Sequence, residues 1–341
     1  MPDPVIKTDR LTLRPPRFDD APAIAREVGD FEIARWLTRV PHPYSLEDAH
    51  EFLDVVKDRA GSQWVIEDAN GLRGFIGTEG ELGYWLSRNC WGQGYLTEAA
   101  RAVVADWFFV PTAPALLSGH FDANARSANV LKKLGFGYCG QEMVSSKAHD
   151  DEVLLHRMVL TPEQYHAMHP WRIQTDRLCL RPLTARDAER LTTLAGVPEV
   201  ARNLLSVPTP WSKEQARHWI EASRWKGRNG FRLGITRSDG TLIGFLGLVP
   251  HREPGTATTM YALGADHWGQ GFATEAMAAF LPAAMARFGL SEVRADHFTD
   301  NPGSGHVLRK LGFERCGEET GRSAARVEEA PLILYRLRLN R

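Results

Sequence analysis

Along the first half of the chain, the hydrophobic pattern changes between a period of two and the period of a helix. Residues 10–14 alternate polar and apolar side chains, which predicts a strand. The apolar runs 63–67 and 72–77 flank Asn70-Gly71, a pair that favours the tight turn of a β-hairpin. Residues 81–86 predict a further strand. The first strands are therefore expected to form antiparallel pairs.

Apolar residues at helical spacing lie between and after these strands. Ser45, followed by acidic residues, predicts a capped helix, and the stripe from Leu96 to Phe108 predicts a long helix with one buried face. Gly135 ends a further predicted helix at residues 127–134. The remaining predicted elements are a helix at 21–28 capped by Asp19 or Asp20 and strands at 117–121, 136–139 and 153–160. The pattern predicts a mixed α/β domain.

Four short motifs of the first half recur in the second half in the same order. WGQG at 91–94 recurs at 268–271, so matching positions in this region differ by 268 − 91 = 177. The other pairs are TDRLTLRP at 8–15 with TDRLCLRP at 175–182, GFIG at 74–77 with GFLG at 244–247, and KLGF at 133–136 with KLGF at 310–313. Two prolines, Pro162 and Pro170, bracket the polar segment between the copies. We therefore predict two copies of one domain, at residues 1–168 and 169–341.

Composition narrows the class of protein. The 341 residues are 43% hydrophobic and 24% charged, which is typical of a globular chain and excludes a collagen-like or coiled-coil protein. The formal net charge of −1 lacks the basic surplus that nucleic-acid binding favours. Residues 1–10 lack the apolar segment of a signal peptide, and no apolar run is long enough to predict a membrane span. We expect a cytoplasmic protein that binds neither nucleic acid nor membranes.

The cysteines predict neither a disulfide nor a metal site. Cys90, Cys139, Cys179 and Cys316 are far apart in the sequence and form no CxxC pair. We expect four reduced thiols and no bound metal. Cys90 has no neighbouring histidine in the sequence, so we interpret it as a packing residue rather than a nucleophile.

The chemical signal of each half lies where a strand ends in a glycine turn and a helix begins at once. This junction covers residues 84–99 in the first half and 261–276 in the second. The first amides of a helix lack internal partners, and glycines leave room for a ligand, so the junction can hold phosphate oxygens. The same sequence also fits a tight turn with a helix cap. Neither a P-loop nor the three-glycine dinucleotide fingerprint occurs here.

Three motifs in fixed order carry a family resemblance. They are the TDRL openings, the junctions YWL…WGQGYLTEA and YAL…WGQGFATEA, and the segments NARSANVLKKLGF and NPGSGHVLRKLGF. With these motifs each half resembles the Gcn5-related N-acetyltransferase (GNAT) superfamily, particularly its ribosomal-protein-alanine N-acetyltransferase branch. The resemblance spans nearly all of each half. It implies an α/β (α+β) protein of two tandem acyl-CoA N-acyltransferase domains, each with a mixed, mostly antiparallel sheet flanked by helices.

The resemblance implies acetyl-CoA as the cosubstrate, without a metal. Backbone amides of the junction would bind its pyrophosphate. In the first half these are the amides of Gly92, Gln93, Gly94 and Tyr95, and in the second half those of Gly269, Gln270, Gly271 and Phe272, with the small Ala273 beside them. The pantetheine arm would contact Trp85, Leu86 and Asn124, with Asn129 nearby. In the second half it would contact Ala262, Leu263 and Asn301, with His306 at the place of Asn129.

Both halves depart from the family pattern. Asn89 and Asp266 stand where the family prefers Gln or Arg, and Asp266 places a negative charge close to the phosphates. Leu96 is bulkier than the small residue usual at its position. We further expect Pro282 to interrupt the long helix of the second half and Pro302-Gly303 to loosen its Asn-x-x-Ser turn.

Acetyl transfer from a thioester to an amine needs a neutral amine, a polarised carbonyl and a proton for the leaving thiolate. Glu79 and Glu81 are the candidate bases of the first half, and both also fit an exposed strand carboxylate. In the second half Thr258 stands at the place of Glu81, although Glu253 lies in a nearby inserted loop.

The candidate acid is a serine hydroxyl. The resemblance puts Ser127, and Ser304 in the second half, near the thioester sulfur. The alternative for both is a role in starting a helix, because serine is a preferred N-cap.

We therefore expect an N-acetyltransferase that moves acetyl from acetyl-CoA to a primary amine by direct attack in a ternary complex. The acceptor is either a protein N-terminal amine or a small-molecule amine. One active half with one scaffolding half is the arrangement that we favour. The alternative function is a module that binds acetyl-CoA for stability or sensing without turnover. The sequence leaves monomer and homodimer open.

Overall fold

The computed structural model describes residues 5–59 and 61–338 of the chain. It divides into two compact units, Met1–Tyr165 and His166–Arg341. Residues 1–4, on which part of the signal-peptide prediction rests, lie outside the described residues. The domain limits 1–168 and 169–341 remain our prediction. None of the helices in the described ranges has the length and apolar character that crossing a membrane requires.

The first unit is built on two sheets with helices between their strands. Its strands are β1 (Ile6–Lys7), β2 (Thr12–Arg14), β3 (Gln63–Asp68), β4 (Gly71–Gly77), β5 (Gly83–Leu86), β6 (Leu116–Phe121), β7 (Gly137–Ser146) and β8 (Asp151–Leu160). Its helices are α1 (Ala21–Val28), α2 (Phe31–Ala34), α3 (Leu46–Val56), α4 (Tyr95–Phe109) and α5 (Ala125–Leu134). A short helix, α6 (Pro162–Met168), contains the boundary between the two units. One sheet has the order β1-β2-β3-β4-β5 and the other β6-β8-β7. All pairs within both sheets are antiparallel.

The second unit repeats this order of elements on one eight-stranded sheet. Its strands are β9 (Ile173–Gln174), β10 (Leu178–Pro182), β11 (Phe231–Arg237), β12 (Leu242–Pro250), β13 (Thr256–Leu263), β14 (Glu292–Phe298), β15 (Glu314–Gly321) and β16 (Ala330–Arg338). Its helices are α7 (Ala188–Ala195), α8 (Pro198–Ala201), α9 (Lys213–Ala222), α10 (Phe272–Phe288) and α11 (Pro302–Lys310). The strand order is β15-β16-β14-β13-β12-β11-β10-β9, with β13 parallel to β14 and the other pairs antiparallel. The mixed, mostly antiparallel architecture is confirmed.

Each unit has one place where two parallel strands meet only at their beginnings. In the second unit β13 and β14 pair over Thr256–Thr258 and stop there, although β13 runs on to Leu263. In the first unit the matching strands share a single parallel bridge, between Leu82 and Ser118. Among the residues that the structure describes, no strand pairs with the facing edges beyond these pairs. The carboxyl ends of parallel strands are where α/β folds hold ligands.

The central strands of each unit, β3 and β4 in the first and β11 and β12 in the second, are buried over most of their length. Burial on both faces explains why their apolar runs do not alternate with polar residues. In β3, Trp64 and Ile66 join the cluster that contains the buried stripe of α4, including Val103. Val65 lies between them in the sequence and joins the opposite cluster with α1 and α3. The predicted helix with one buried face is thereby confirmed for α4.

Local capping was predicted correctly at one helix and wrongly at another. Ser45 caps α3 in a capping box, because its hydroxyl accepts from the Asp48 amide and the Asp48 carboxylate accepts from the Ser45 amide. Asp20 stands before α1 but makes no capping hydrogen bond. Its carboxylate instead accepts two hydrogen bonds from Arg14, at 2.9 and 2.7 Å. One carboxylate oxygen also accepts from the Arg17 amide at 2.7 Å, so Asp20 closes the turn before α1 and holds Arg14 rather than capping α1 itself.

The two proline expectations of the second half were wrong. The helix α10 continues through Pro282 without a break from Phe272 to Phe288, with Leu281 and Ala284 on either side packed in the core. Burial of these neighbours outweighs the hydrogen bond that the proline removes. Pro302 occupies the first turn of α11, where a missing amide proton costs nothing. The Asn-x-x-Ser turn forms there too, with the Asn301 side chain accepting from the Ser304 amide.

Candidate functional site

The glycine junction has the same backbone geometry in both halves. Gly92 and Gly94 have φ angles of 78° and 80°, and Gly269 and Gly271 have 72° and 79°, a region that favours glycine. A Cβ at Gly92 or Gly269 would meet no atom within 4 Å, so the outer face of each turn is open. Helices α4 and α10 begin directly after the second glycine. The first amides of each helix have no partner within the helix, and they directly follow this open turn.

A carboxylate on the new helix ties each junction to the opening motif of its own half. In the first half Glu98 accepts from the Thr8 hydroxyl (2.6 Å), the Arg10 amide (2.9 Å) and Arg10 Nε (2.7 Å). Arg10 Nη1 also donates to the carbonyl of Gln93 at 3.0 Å, and its guanidinium stacks over the Tyr95 ring. We call this set of residues the first clamp. By holding the Gln93 carbonyl, it fixes the direction of the turn between the two glycines.

The second half contains the same arrangement, which we call the second clamp. Glu275 accepts from the Thr175 hydroxyl (2.6 Å), the Arg177 amide (3.0 Å) and Arg177 Nε (2.6 Å). Arg177 Nη1 donates to the carbonyl of Gln270 at 3.2 Å and the guanidinium stacks over Phe272. The sequence singled out the TDRL openings as a motif without giving them a role, and the structure shows that they position the turn.

Replacing Glu98 by glutamine is expected to weaken acetyl-CoA binding by the first half about tenfold, because charge-assisted hydrogen bonds contribute more than neutral ones. Burial raises the pKa of Glu98, but the hydrogen bonds from Thr8 and Arg10 outweigh it and hold the pKa below its ordinary value of 4.5. The clamp is therefore intact above pH 4.5 and is lost as the pH falls through the lowered pKa. Calorimetric titration measures the affinity, and the second clamp of the same molecule is the internal control. Equal affinities of Glu98→Gln and wild type would contradict the positioning role.

The remaining side chains of the junction fold back onto the preceding strand. The Gln93 side-chain amide donates to the carbonyl of Asn89 at 2.6 Å, and Gln270 donates to the carbonyl of Asp266 at 2.9 Å. The indole of Trp91 donates to the carbonyl of Leu86 at 2.8 Å. Positions 89 and 266 thus act through their backbone, and the departure from the family preference leaves the turn unchanged.

The wall opposite the junction is the start of the next helix. Asn124 Oδ1 accepts from the Ser127 amide at 3.1 Å, and Asn301 Oδ1 accepts from the Ser304 amide at 3.3 Å. The asparagines are therefore the N-caps of α5 and α11. The two serine hydroxyls remain available for other partners.

A tyrosine on the preceding strand joins each of these serines. Tyr84 OH lies 2.9 Å from Ser127 Oγ, and Tyr261 OH lies 2.8 Å from Ser304 Oγ. Burial raises the pKa of both tyrosines to about 12, so both stay protonated at neutral pH. Sequence reasoning assigned no role to these tyrosines. Their recurrence at matching positions, 84 and 261, was the signal that could have found them.

In the first half both walls line one cavity of about 480 Å³. The predicted site residues that line it are Glu81, Trp85, Leu86, Gly92, Gly94, Tyr95, Asn124, Ser127 and Asn129. Gln93 and Glu79 are not part of its lining. The α2 region contributes Trp36, Leu37 and Thr38 at another side of the same cavity. The structure thus brings the glycine junction, the Tyr84–Ser127 pair and an aromatic wall together.

This combination of elements occurs in a known family. A family model described as an acetyltransferase (GNAT) domain matches residues 10–137 and again residues 177–314. The chain belongs to the GNAT acetyltransferase family. That membership makes the protein an acetyl-CoA-dependent N-acetyltransferase, and the two matched ranges confirm a tandem arrangement of GNAT regions.

Relatives of this GNAT protein each correspond to one half of it. The uncharacterised N-acetyltransferase YoaA of Bacillus subtilis is 36% identical over 153 residues, which is 42% of this chain and 84% of the relative. The uncharacterised N-acetyltransferase p20 of Bacillus licheniformis is 30% identical over 150 residues, 42% of this chain and 83% of the relative. A solved GNAT-family acetyltransferase from Bacillus anthracis is 18% identical, with a TM-score of 0.43, and covers 49% of this chain and 98% of its own.

The candidate bases of the GNAT protein are all engaged in ion pairs. Glu79 pairs with Arg59 away from the cavity. Glu81 lines the cavity and pairs with Arg157. In the second half Glu253 pairs with Arg294 at 2.6 Å. Of these, Glu81 is the carboxylate that lines the same cavity as Tyr84 and Ser127.

The backbone of β5 indicates which residues face the unpaired edge. The Ser87 amide donates to the Arg73 carbonyl at 2.7 Å, so the alternation of an antiparallel pair directs the backbone of Trp85 toward β4 as well. The backbone groups of Tyr84 and Leu86 then point away from β4, toward the edge that has no partner strand. The pantetheine contact of Trp85 remains a prediction, and its side chain lines the cavity.

The second-half candidates occupy the corresponding places. Ala262 and Leu263 are buried at the end of β13, and Ala273 lies in the first turn of α10. His306 is exposed on α11, as Asn129 is on α5. These placements put the predicted residues along the same two walls in both halves.

The Cys90 thiol has the environment of a packing residue rather than that of a nucleophile. Burial raises the pKa of the Cys90 thiol, whose Sγ donates to Asn89 Oδ1 at 3.2 Å. A raised thiol pKa disfavours the thiolate that a nucleophile needs. Within residues 5–59 and 61–338, no group of three His, Cys, Asp or Glu side chains is placed to hold a metal ion.

Proposed function

We propose that this GNAT protein transfers the acetyl group of acetyl-CoA to a primary amine by direct attack in a ternary complex. The observation that carries this proposal is the first-half cavity, which joins the glycine junction to the Tyr84–Ser127 pair. A cavity of this size accepts part of a cofactor and a small group on the acceptor side. Both halves repeat the junction and the tyrosine–serine pair, so we extend the proposal to two sites.

The junction residues fit a pyrophosphate. The open face above Gly92, the positive φ of Gly94 and the start of α4 at Tyr95 provide amides and a helix N-terminus for anionic oxygens. We assign the amides of Gly92, Gln93, Gly94 and Tyr95 to this role. In the second half we assign Gly269, Gln270, Gly271 and Phe272, with Ala273 beside them.

The pantetheine arm would lie along the unpaired edge of β5. Amide groups of such an arm would pair with backbone groups there, as an added strand does. We assign Leu86, Trp85 and Asn124 to this contact in the first half, with Asn129 nearby. Leu263, Ala262, Asn301 and His306 are the counterparts in the second half.

The chemistry needs a proton donor for the leaving thiolate and an acceptor for the amine proton. We assign the first role to the Ser127 hydroxyl, backed by Tyr84, whose raised pKa of about 12 keeps it a donor at neutral pH. Glu81 is the candidate acceptor in the cavity, directly or through water. An α-amino group has a reference pKa of roughly 7.7–8.0, so a modest base is sufficient.

Ser127→Ala is expected to lower kcat of the first half about 100-fold with little change in acetyl-CoA affinity, because general acid catalysis contributes roughly 10²–10⁴-fold. Release of CoA is measured with a panel of peptide N-termini, polyamines and small amines. Ser304→Ala is the matched variant for the second half, and the double variant shows the remaining rate. An unchanged kcat in both single variants and the double variant would rule out the serine role, and no CoA release by wild type would refute the transfer function.

A module that binds acetyl-CoA without turnover is the second candidate, and it applies to the second half alone. The observation that favours it is the replacement of Gly83 and Gly119, which line the first-half cavity, by Met260 and Asp296 at the matching positions. In that case Ser304→Ala leaves all CoA release unchanged. The amine panel therefore separates one active half from two.

We further propose two domains with the limits 1–168 and 169–341, acting in the cytoplasm on a protein N-terminal amine or a small-molecule amine. Neither nucleic acid nor a membrane is part of the proposal. Monomer and homodimer both satisfy it, because each half holds both walls of its own site.

A further inference from the structure

A row of residues crosses the second-half sheet on one face. Arg232 on β11 is paired with Gly247 on β12, and Gly247 is paired with Met260 on β13. Directly opposite residues of neighbouring strands project to the same face of a sheet. The side chain of Arg232 crosses above Gly247, since its Nε lies 3.2 Å from the sulfur of Met260. A Cβ at Gly247 would lie 2.2 Å from the Phe231 carbonyl oxygen and 3.0 Å from Arg232 Cγ, so glycine leaves room both for the neighbouring backbone and for this crossing.

The Arg232 guanidinium has no carboxylate partner among the described residues. It stacks over the ring of Trp219 at 4.2 Å and contacts Met260 on another side. Burial lowers the pKa of Arg232 to about 10, so the group still carries its charge at neutral pH. A cation that has lost water without gaining an anion is costly, and such groups concentrate at ligand sites.

The first half has a neutral row at the matching place. Gln63 pairs with Gly77, the counterpart of Gly247, and Gly77 pairs with Gly83. Gly83 lines the 480 Å³ cavity of the first half, and so does Gly119 on the next strand. With the separation of 177 residues, their counterparts in the second half are Met260 and Asp296. The row from Arg232 to Met260 in the second half therefore ends at the position that corresponds to the cavity of the first half.

Asp296 is the second charged group near this place. It lies on β14 two residues beyond Arg294, the last residue of that strand that pairs with β13. Its carboxyl makes no hydrogen bond or ion pair with the residues that the structure describes. Burial raises its pKa, the neighbouring His297 lowers it, and Glu319 raises it. The second half thus has a cation without an anionic partner on β11 and an unpaired carboxyl on β14, at the positions that match Gln63 and Gly119 of the first half.

We propose that the second half takes an amine acceptor that also carries a carboxylate, with Arg232 binding the carboxylate and Asp296 receiving the amino group. This inference rests on the proposed function, because it concerns the acceptor of the same transfer. Arginine binds carboxylates through paired charge-assisted hydrogen bonds, which gives both affinity and orientation. Free amino acids and peptides with an acidic first residue share this chemistry.

The test isolates the second half in the full chain by means of Gly94→Glu, which blocks the first junction. CoA release is measured with the common amino acids and their carboxamides, and with peptides that begin with aspartate or asparagine. We expect the best acid to have a kcat/KM at least about tenfold above its amide, as a hydrogen-bonded charge pair supplies. Arg232→Gln, which copies Gln63 of the first half, should bring this ratio close to one. Preference for free acids or for acidic peptides identifies the source of the carboxylate.

The matched control is Arg237→Gln, an exposed arginine on the same strand, which should leave the ratio unchanged. Equal rates for acids and amides in the Gly94→Glu protein, or a ratio that Arg232→Gln does not change, would overturn the inference. If this protein releases no CoA with any amine, the transfer function fails for the second half. Binding of N-acetylated amino acids and their amides in the presence of CoA, measured by calorimetry, then decides the inference. The inference is supported if the N-acetylated amino acids bind more tightly than their amides and this difference disappears in Arg232→Gln. Any other result overturns it.

Discussion

Gly94→Glu is expected to remove acetyl-CoA binding from the first half and to leave the second half unaffected. The substitution adds a side chain at a φ of 80°, which strains the turn. Its Cβ would lie 3.5 Å from Arg10 Nη2, so the new carboxylate competes with Glu98 for the guanidinium and adds negative charge at the turn. Like charges in a ligand site cost several kcal/mol, so we expect an affinity loss of more than about 100-fold. Calorimetric titration should show two sites in wild type and one in this variant.

The control for Gly94→Glu is a glutamate at another glycine of positive φ, which reproduces the backbone strain but lies outside the glycine junction. Gly71 has a φ of 104° and open space around its Cβ position, but it lies in the hairpin between β3 and β4. Gly71→Glu should therefore bind acetyl-CoA like wild type. Gly271→Glu should remove the other site in the same way. A variant that loses both sites, or a Gly94→Glu protein that keeps two, is incompatible with one cofactor site in each half.

Asp20→Ala is expected to lower the free energy of unfolding of the first unit by about 3–5 kcal/mol, because it leaves a buried guanidinium without its carboxylate. Both side chains of the Arg14–Asp20 pair are only 10% exposed. Arg14 donates hydrogen bonds to Asp20, the shorter one at 2.7 Å, and to Glu67. These bonds hold the guanidinium in place and raise its pKa. Glu67, whose side chain is 33% exposed, remains as a partial partner in the variant.

Denaturant unfolding followed by tryptophan fluorescence measures this loss. The exposed pair of Lys57 and Asp54 is the matched control, and Asp54→Ala should change the free energy of unfolding by less than about 1 kcal/mol. Asp187→Ala breaks the corresponding pair with Arg181 and should destabilise the second unit. A loss for Asp20→Ala no larger than that for Asp54→Ala would show that the buried pair has no special weight.

The sequence predicted those features that depend on neighbours along the chain. The hairpin at Asn70-Gly71 and the cap at Ser45 are set by residues within a few positions, and both are present. The glycine junction was also recognisable, because its turn and helix start are contiguous. The duplication added a second, independent occurrence of each feature.

Features with distant partners escaped the prediction. The role of Arg10 depends on Glu98, 88 positions away, and that of Tyr84 on Ser127, 43 positions away. Asp20 was predicted as a cap because its local context fits one. Its partner Arg14 is near in the sequence but belongs to a buried strand, and only the packing of that strand brings the two side chains together. Periodicity shows that a side chain is buried but does not show which polar group it meets.

The repetition of the clamp has a consequence for how the two halves diverge. Every hydrogen bond of the first clamp joins residues of the first unit, and every one of the second clamp joins residues of the second. Neither turn depends on the other copy, so a change in one half leaves the cofactor turn of its twin intact. The residues around the acceptor can therefore change in one half without loss of cofactor binding in the other. The chain still supplies both halves in a fixed one-to-one ratio.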